Sequence, residues 1–459
     1  MRVTILGGGG FRVPLICREL AASGLAPEQV VLYDVVPERL GVIAAVLAGD
    51  GLPLRTTTDL DTALRGADVI FAALRVGGLD GRVTDERSAL DAGVIGQETV
   101  GAGGLSYAAR AVPVVDAIAR RIAQLAPQAW VISMTNPAGI VTEVMAATLG
   151  PRVIGVCDSP AGLVRRACAA SGVDPGTRVA EMPDGVQVDY LGINHLGWLR
   201  GLRVDGTDLL PGLLADPGAL NRTEEGRLFG AGLLQALGAI PNEYLYWYYA
   251  RAEALRDVLA AGRTRAEHVR AEQERFFAAA AASPGQAAAL WAAAQDERTR
   301  SYFSELRSGE RDDADVTAGG YEAIAIGLTS ALTSSARTRR PLTGEVPARL
   351  ILNVRNDGTV PALPPDAVIE TVCRVDRNGA VPLPVEPPSD HQLGLMATVK
   401  SCERDIAAAA LTGSAADALR AFALHPLVGS IAAARALAAA AMASASATRA
   451  VGTAIGSGL

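Results

Sequence analysis

Residues 2–34, RVTILGGGGFRVPLICRELAASGLAPEQVVLYD, decide the fold of this chain. A short apolar run breaks at four glycines, a helical pattern follows, and a second apolar run ends on Asp34. Strand, glycine turn, helix, strand and acid follow one another in the order typical of a dinucleotide-binding unit. Glycines let the backbone approach a pyrophosphate, the helix N-terminus favours its negative charge, and the acid accepts the ribose hydroxyls.

This stretch predicts a site for NAD. Asp34 lies 24 positions after Gly10, against roughly 20 in the usual motif. A carboxylate there would repel a 2′-phosphate, which favours NAD over NADP. Taken alone, however, four glycines after a strand are also explained by ordinary turn chemistry. The predicted cofactor-binding residues are Gly7, Gly8, Gly9, Gly10, Phe11, Arg12, Asp34 and Arg75.

Strand and helix patterns alternate as far as the apolar run Val153–Val156. This alternation predicts an α/β fold with an N-terminal Rossmann-type, doubly wound parallel sheet that is lactate/malate dehydrogenase-like. Ligands of such sheets bind outside the carboxyl ends of the strands, where LRVGG (74–78), TNPAG (135–139) and CDSP (157–160) are found. We expect an NAD-binding Rossmann domain at 1–170 and a mixed α+β catalytic, substrate and oligomerisation domain at 171–459.

Four stretches carry local predictions that the structure can test. We expect 74–105 to be a long functional connection before a helix at Ser106–Leu125, because its glycines and charges exceed what a connector needs. We expect strands at Val179–Met182 and Val186–Leu191, a helical stretch from about Glu224 to Ala282, and an irregular cover at 359–387.

Composition and charge limit the classes of partner. The 459 residues carry a formal net charge of −7 and have no basic cluster suited to a phosphate backbone, so we expect no nucleic-acid partner. Five scattered cysteines do not suggest a disulfide framework. No signal segment is evident, and Arg435 and Arg449 interrupt the long apolar tail, so we expect a cytoplasmic protein without a membrane span.

Cys157 and His195 are the most unusual candidates for chemistry. Cys157 follows a predicted parallel strand, and His195 lies in the motif NHLGW. A hydroxy-acid dehydrogenase of the lactate/malate type would place a glycine directly after its histidine and an arginine three positions after its aspartate. Here Leu196 and Ala161 stand at those positions, and such a site leaves Cys157 without a function. Core packing remains the ordinary alternative for any one of these residues.

The chain also resembles the NAD-dependent glycosidases of glycoside hydrolase family 4, most closely the 6-phospho-β-glucosidase branch. The resemblance covers nearly the whole chain. The matching motifs are GGGG (7–10), RVGGLDGR (75–82), DERSAL (85–90), GVIGQETVGAGG (93–104), TNPAGIVTE (135–143), GVCDSP (155–160), NHLGW (194–198), PNEYLYWYY (241–249), NVRNDGTVPALP (353–364) and HPLV (425–428).

The resemblance implies a redox route to glycoside cleavage. Bound NAD takes a hydride from sugar C3, a base removes the proton at C2, the glycosidic oxygen leaves, water adds, and the hydride returns. The metal would be divalent; cysteine and histidine ligands suggest zinc by softness, whereas manganese is what the family implies. Family members are usually homodimers or homotetramers.

The resemblance also assigns roles to individual residues. It implies Cys157 and His195 as metal ligands, Tyr244 as the C2 base, with Tyr246, Tyr248 and Tyr249 as alternatives, and Asp158 as proton donor in the α-glycoside branch. The predicted substrate-binding residues are Asn136, Asn194, Arg87, Arg12 and Glu98. For Arg87 and Arg75, surface ion pairs are an equally good explanation.

One departure affects the predicted substrate. The family loop commonly reads GGGS-x-Y-T, with its serine near the sugar phosphate, whereas Gly10, Phe11, Arg12 and Val13 stand here. Arg12 replaces that contact through its charge, or the sugar carries no phosphate.

Overall fold

A computed structural model describes residues 1–176, 182, 185–301, 320–333 and 348–457. The chain forms two compact units that are each assembled from separated stretches. The first unit comprises Met1–Val153, Ala250–Arg311 and Thr398–Leu459, and the second comprises Ile154–Tyr249 and Asp312–Ala397. The boundary predicted between residues 170 and 171 stays a prediction about folding domains, because these units are defined by packing.

The described residues form the following strands and helices, in chain order. The strands are β1 (Arg2–Leu6), β2 (Gln29–Tyr33), β3 (Leu54–Thr57), β4 (Val69–Ala72), β5 (Trp130–Ser133), β6 (Val153–Gly155), β7 (Val186–Ile193), β8 (Leu196–Val204), β9 (Thr207–Asp208), β10 (Ile240–Pro241), β11 (Ala348–Arg355), β12 (Val368–Asp376) and β13 (Gly379–Pro382). The helices are α1 (Val13–Ala22), α2 (Pro37–Val46), α3 (Leu60–Leu64), α4 (Gly78–Asp91), α5 (Gly101–Leu125), α6 (Ala138–Leu149), α7 (Ser159–Ala170), α8 (Leu210–Ala215), α9 (Pro217–Leu220), α10 (Glu224–Phe229), α11 (Ala231–Leu237), α12 (Tyr246–Tyr249), α13 (Arg251–Ala260), α14 (Arg265–Ala282), α15 (Ala287–Arg300), α16 (Tyr321–Thr333), α17 (Asp390–Thr412), α18 (Ala415–Leu424) and α19 (Ile431–Ser457).

The first unit contains the predicted parallel sheet. Its strands lie in the order β5-β4-β1-β2-β3, and all neighbouring pairs are parallel. The chain leaves β1 for β2 on one side and later returns to β4 on the other side, so the order reverses beside β1. In open α/β sheets, this switch point is where nucleotides bind. The predicted Rossmann-type fold class is confirmed, and the glycine turn lies at the switch point.

The prediction for residues 74–105 was wrong, because α4 occupies half of this stretch and α5 begins at Gly101 rather than Ser106. The buried residues of α4 include Arg82, Asp85 and Glu86, so its inner face is charged instead of apolar. Arg110 of α5 donates to both carboxylate oxygens of Asp85, over 2.9 and 2.6 Å. Buried ion pairs therefore replace the hydrophobic periodicity by which a helix is usually recognised.

Helix α19 contains a segment, Ile431–Ile455, that is long and apolar enough, by length and composition, to cross a membrane. The argument that charges exclude a span here was therefore too strong. Core helices pass the same test, and α19 packs along α5: a Cβ on Gly452 would lie 2.6 Å from the carbonyl oxygen of Pro113. Ala434 and Ala445 are fully buried in the core of this unit. Packing against α5 thus accounts for the apolar face.

The second unit holds an antiparallel sheet in the order β10-β8-β7-β12-β11-β6, with β13 beside β12 and β9 beside β8. Two predictions fail here. The segment 359–387 was expected to be irregular but contains β12 and β13, and the stretch expected to be helical from Glu224 is interrupted by β10 and by a short 3-10 helix, Glu243–Leu245. The predicted strand Val186–Leu191 is confirmed within β7. Of the other predicted strand, Val179–Met182, residues 179–181 lie outside the described residues.

Register in this sheet aligns residues that matter below. Asn353 of β11 pairs with Gly155 of β6 on one side and with Glu370 of β12 on the other. Glu370 in turn pairs with Gly192 of β7. A buried carboxylate thus lies in this row of the sheet, beside Asn353, and its partner Gly192 is two residues from the turn that carries His195.

Candidate functional site

The glycine loop of the first unit is a compact turn. The amides of Gly7 and Gly8 both donate to the carbonyl oxygen of Tyr33, over 2.9 and 2.7 Å. Gly7 has a φ of +84°, and a Cβ on Gly8 would lie 2.7 Å from the Cβ of Leu32, so a larger residue would push the loop away from β2. Helix α1 then begins at Val13. A turn of this kind directly before a helix N-terminus is where dinucleotide-binding folds hold a pyrophosphate.

Asp34 lies beside this loop, where the sequence places it. Its Oδ2 accepts a hydrogen bond from the Gly9 amide over 3.0 Å, and its Oδ1 accepts one from Val36 over 3.2 Å. Arg12 is the exposed N-cap residue of α1. The carboxylate is therefore held at the glycine turn, which is the geometry a ribose-binding acid needs.

Phe11 does not take the predicted place. Its side chain is buried and packs edge-on against Phe276 with a centroid separation of 5.3 Å, while the indole of Trp291 donates to its carbonyl oxygen over 2.8 Å. An apolar ring gains more from this core than from a polar cofactor. A side-chain contact from Phe11 to NAD is thus corrected to a structural role.

Asn136 lies three residues after the end of β5. The hydroxyl of Thr135 donates to the Ala72 carbonyl and accepts from the Leu74 amide, both over 2.9 Å, which ties the ends of β4 and β5 together. The Oδ1 atom of Asn136 is buried and has no hydrogen-bond partner among the described residues. A buried amide oxygen without a partner suits a residue that binds a ligand.

Glu98 is enclosed by arginines. It forms ion pairs with Arg75 and with Arg82, the latter over 2.8 Å. Burial alone would raise the pKa of Glu98, but the two guanidinium groups hold it at about 2. Glu98 and Arg75 are thus brought together as partners of each other, although the sequence assigned one to the substrate and the other to the cofactor.

Arg298 adds further positive charge to this region. Burial first, and then the charges of Arg12, Arg265, Arg82 and Arg75, lower the pKa of Arg298 to about 9. Its Nη1 is buried without a hydrogen-bond partner among the described residues. Glu98 alone does not balance this group of cations, so the region is suited to an anion. Sequence reasoning missed Arg298 because it lies in a charged helix with no motif around it.

Arg87 lies in an ion pair instead of an open site. Its Nε and Nη2 donate to the two carboxylate oxygens of Glu267 over 2.7 and 2.6 Å, and Nη2 also contacts the Gly262 carbonyl oxygen. This geometry favours the surface ion pair that the sequence left as the alternative, because Nε and Nη2 are both engaged by Glu267. The substrate-binding role of Arg87 stays a prediction.

Cys157 lies just beyond β6 in the second unit and is fully buried. Burial first, then the carboxylates of Glu370 and Asp158, raise the pKa of its thiol well above the ordinary value. The hydroxyl of Tyr321 donates to Sγ over 3.7 Å. Asp158 is the N-cap residue of α7. The thiol therefore faces two acids, an arrangement with an excess of negative charge.

His195 and Tyr244 form a close aromatic pair in the second unit. Asn194 and His195 make the two-residue turn between β7 and β8, and His195 has a φ of +61°. Its ring stacks on that of Tyr244 with centroids 3.9 Å apart and planes 18° from parallel. Tyr244 lies in the 3-10 helix Glu243–Leu245, whose start is fixed by the side chain of Asn242 accepting from the Tyr244 amide.

Two contacts join the Cys157 segment to the Tyr244 segment. The hydroxyl of Ser159 donates to Glu243 over 2.6 Å. Tyr190 is affected electrostatically by Cys157 and is hydrogen-bonded to Asn242. The segments that carry Cys157 and Tyr244 thus lie close together in the second unit, and ligation of a metal by Cys157 and His195 stays a prediction.

The neighbouring tyrosines lie elsewhere. The ring of Tyr246 lies 6.1 Å from that of Phe229, and the hydroxyl of Tyr249 accepts from the Trp198 indole and contacts His391 Nε2, both over 2.9 Å. Stacking on His195 distinguishes Tyr244 from both.

Glu370 is the residue that sequence reasoning missed. It is completely buried on β12, and its carboxylate accepts from Asn353 over 2.8 Å, Tyr190 over 3.0 Å and Asn194 over 3.3 Å. Burial raises the pKa of Glu370 to about 7, although these three hydrogen bonds oppose the rise. Asn194, predicted to bind substrate, is thus engaged by a carboxylate.

A second group of possible metal ligands occurs in the first unit. His268, Glu272 and Glu297 bring one donor atom each within 4.8 Å of one another. His268 Nε2 lies 3.1 Å from Glu272 Oε1, as in an ordinary helical ion pair one turn apart. Burial lowers the pKa of His268, and the nearby Arg265 and Arg263 lower it further. The two arginines oppose a cation, so this group carries no metal assignment.

Comparison with known families decides the classification. The family 4 glycosyl hydrolase model matches residues 2–171, and the family 4 glycosyl hydrolase C-terminal domain model matches residues 190–428. The chain belongs to glycosyl hydrolase family 4. The resemblance drawn from the motifs is confirmed, and the chain is an enzyme of this family. A lactate/malate-type dehydrogenase is not favoured.

Relatives within the family act on phosphorylated sugars. The chain is 28% identical to the 6-phospho-β-glucosidase of Escherichia coli, over 94% of this chain and 92% of the relative. It is likewise 28% identical to the maltose-6′-phosphate glucosidase of Bacillus subtilis, over 88% and 86%. A solved 6-phospho-α-glucosidase from gut microorganisms, in complex with NAD and Mn²⁺, shares 25% identity and superposes with a TM-score of 0.75, over 96% of this chain and 97% of that one.

Proposed function

We propose that this protein hydrolyses 6-phospho-β-glucosides with the help of NAD and a divalent metal ion, Mn²⁺. The observation that carries the proposal is the buried stack of His195 on Tyr244, in the same unit as the buried Cys157, in a chain of family 4. NAD supplies a hydride acceptor and donor for sugar C3, and the metal stabilises negative charge on the sugar oxygens.

The donor chemistry of the second unit fits a divalent cation. Cys157 offers sulfur and His195 offers an imidazole, both buried, and the carboxylates of Asp158 and Glu370 act on the same thiol. A cation here would offset the negative charge that now raises the thiol pKa, and the thiolate is the ligand form. Sulfur and nitrogen donors also accept zinc, so the preference for manganese rests on the relative that contains it.

Tyr244 is the residue we assign as the base that removes the C2 proton. Its ring is held against His195, so the phenol oxygen has little freedom to move. A tyrosine needs a depressed pKa to act as a base, and a cation held by His195 would provide it. Asn136, with its unpartnered Oδ1, is assigned to a sugar hydroxyl.

The glycine loop fits NAD. The loop lies directly before the N-terminus of α1, and Asp34 is fixed beside Gly9, which suits the pyrophosphate and the ribose respectively. The loop residues Gly7 to Gly10, with Arg12, are therefore proposed as the cofactor-binding segment.

A phosphorylated sugar is supported by the arginines around Glu98. Arg12, Arg75, Arg82 and Arg298 influence one another electrostatically, and Arg298 has a buried nitrogen without a partner among the described residues. A phosphate dianion would neutralise this excess and accept from a planar guanidinium fork. This group replaces the serine that the family loop commonly carries.

Asp158 supports a second candidate, the hydrolysis of 6-phospho-α-glucosides. It follows Cys157 and heads α7, where the α-branch places its proton donor. The two candidates differ only in which anomer presents its leaving oxygen to an acid.

An activity panel tests the proposal. Nitrophenyl α- and β-glucosides, each with and without a 6-phosphate, are offered with NAD and Mn²⁺ to the purified protein. We expect release of nitrophenol from the 6-phospho-β-glucoside, loss of activity with EDTA and recovery with Mn²⁺. Cleavage of the α-anomer alone would favour the second candidate. No turnover of any of the four compounds would refute both.

Three expectations about the protein in the cell accompany this function. We propose a homodimer or homotetramer in the cytoplasm, with a small sugar as its ligand and without a nucleic-acid partner. Light scattering of the purified protein checks the oligomeric state.

A further inference from the structure

Glu370 is a buried carboxylate to which the proposed reaction gives no part. Its side chain is fully buried, and its two oxygens accept three hydrogen bonds, from Asn353 and Asn194 to Oε1 and from Tyr190 to Oε2. Moving a carboxylate from water into the protein interior costs on the order of several kcal/mol of folding free energy. An apolar residue at this position would stabilise the sheet more than an acid does. Packing therefore does not explain why position 370 is a glutamate.

Two of the three donors belong to the turn that carries His195 or to the strand that leads into it. Asn194 is the first residue of that turn, and Tyr190 lies on β7, which leads into it. A Cβ on Gly197, at the start of β8, would clash with the Tyr190 hydroxyl. Gly197 therefore leaves room for Tyr190 to reach Glu370, and the carboxylate braces the strand before the turn as well as the turn itself.

His195 needs such bracing. Its φ of +61° is a left-handed conformation, which costs a residue with a Cβ about 1–2 kcal/mol. The turn has only two residues between Ile193 and Leu196, so a hydrogen bond to Asn194 also restrains its neighbour. If Asn194 were released, the backbone could relax, and the imidazole would leave its place against Tyr244.

Glu370 also acts electrostatically on the other proposed ligand, where, after burial, its charge raises the pKa of the Cys157 thiol. Its charge acts on the Cys157 thiol more strongly than that of Asp158, although Asp158 is adjacent in sequence. The same carboxylate is thus hydrogen-bonded to the His195 turn and acts electrostatically on Cys157.

We propose that Glu370 is a positioning residue for metal binding, which orients the Asn194–His195 turn and adds negative charge to the site that would hold the cation. This inference rests on the proposed metal dependence. Residues behind the ligands of a metal site typically change affinity about 10- to 100-fold when they are replaced.

The test is direct Mn²⁺ binding to Glu370→Gln, measured by electron paramagnetic resonance of the free ion. Glutamine keeps the shape and one acceptor but removes the charge. We expect the Kd for Mn²⁺ to rise about 10- to 100-fold, and kcat at saturating Mn²⁺ to stay within about tenfold of wild type. A purely structural acid would lower the melting temperature without this separation of metal affinity from kcat.

The matched control is Glu403→Gln, which neutralises a buried carboxylate in the first unit that pairs with Lys400. This variant should retain the wild-type Kd for Mn²⁺. If Glu370→Gln does not fold, Asn194→Ala breaks the same link from the other side and should raise the Kd as well.

The outcomes separate the two proposals. Wild-type Mn²⁺ affinity in a folded Glu370→Gln, or in Asn194→Ala where the first variant is not folded, overturns the positioning role and leaves the glycosidase proposal standing. A wild-type protein that binds no Mn²⁺ and cleaves no phosphoglycoside overturns both.

Discussion

Replacing Tyr244 by phenylalanine isolates the hydroxyl group that we assign as the base. The ring would stay stacked on His195 at 3.9 Å and remain buried, because Phe has the same shape without the oxygen. Loss of a general base costs about 10²- to 10⁴-fold in rate. At about 1.4 kcal/mol for each tenfold change, this corresponds to roughly 3–5 kcal/mol in the barrier.

Stability should change much less than rate. One hydrogen bond contributes about 1 kcal/mol to folding, so the melting temperature of Tyr244→Phe should shift by only a few degrees. The matched control is Tyr246→Phe, whose ring lies near Phe229. We expect this control to keep kcat within about threefold of wild type.

The assay is steady-state hydrolysis of nitrophenyl 6-phospho-β-glucoside at saturating NAD and Mn²⁺, with the melting temperature recorded for each variant. The reasoning is refuted if Tyr244→Phe keeps kcat within about threefold of wild type. A large loss of kcat in Tyr246→Phe instead would indicate that Tyr246 is the base.

Three further predictions address the cofactor, the phosphate and acid stability. Gly8→Ala should raise the Kd for NAD at least about tenfold by calorimetry, because its Cβ would lie 2.7 Å from that of Leu32, whereas Gly41→Ala, with open space around it, should bind normally. Arg298→Gln should raise KM for the phosphorylated glycoside about 10- to 100-fold, since a charged hydrogen bond contributes about 1.5–3 kcal/mol. The KM for the unphosphorylated glycoside should stay unchanged. Equal increases in both KM values would exclude a phosphate contact. Burial lowers the pKa of His425 from 6.5 to about 3, so below pH 6.5 the unfolded chain binds a proton that the folded chain does not. As the pH is lowered below 6.5, the melting temperature of the wild type should therefore decrease more steeply than that of His425→Gln. Parallel curves of melting temperature against pH would contradict this.

Much of the site could be predicted because its residues stand in local motifs. The glycine loop, Cys157 and the His195 turn each follow a strand whose apolar run is legible, and the order of strands in the first unit follows from helix and strand alternation. Tyr244 could be singled out only by resemblance, since several tyrosines share its segment. The stack on His195 is a contact between distant stretches, which no local pattern contains.

Two failures have a common physical cause, namely charge in buried positions. Helix α4 turns Arg82 and Asp85 inward, so its apolar periodicity is absent. Strand β12 carries Glu370 within the run VIETVCRV, where prolines on both sides suggested an irregular cover. The β-branched residues of that run were a usable strand signal. That its acid is buried depends on Asn353, Tyr190 and Asn194, which only the folded sheet brings within hydrogen-bond distance.

The central claim is that this chain cleaves a glycosidic bond through temporary oxidation of the sugar, with removal of the C2 proton. The most direct measurement is nuclear magnetic resonance of the glucose 6-phosphate released from a 6-phospho-β-glucoside in D₂O. The account predicts deuterium at C2 of the product, because the base exchanges that proton with solvent. A product that keeps its original hydrogen at C2 throughout turnover would contradict it.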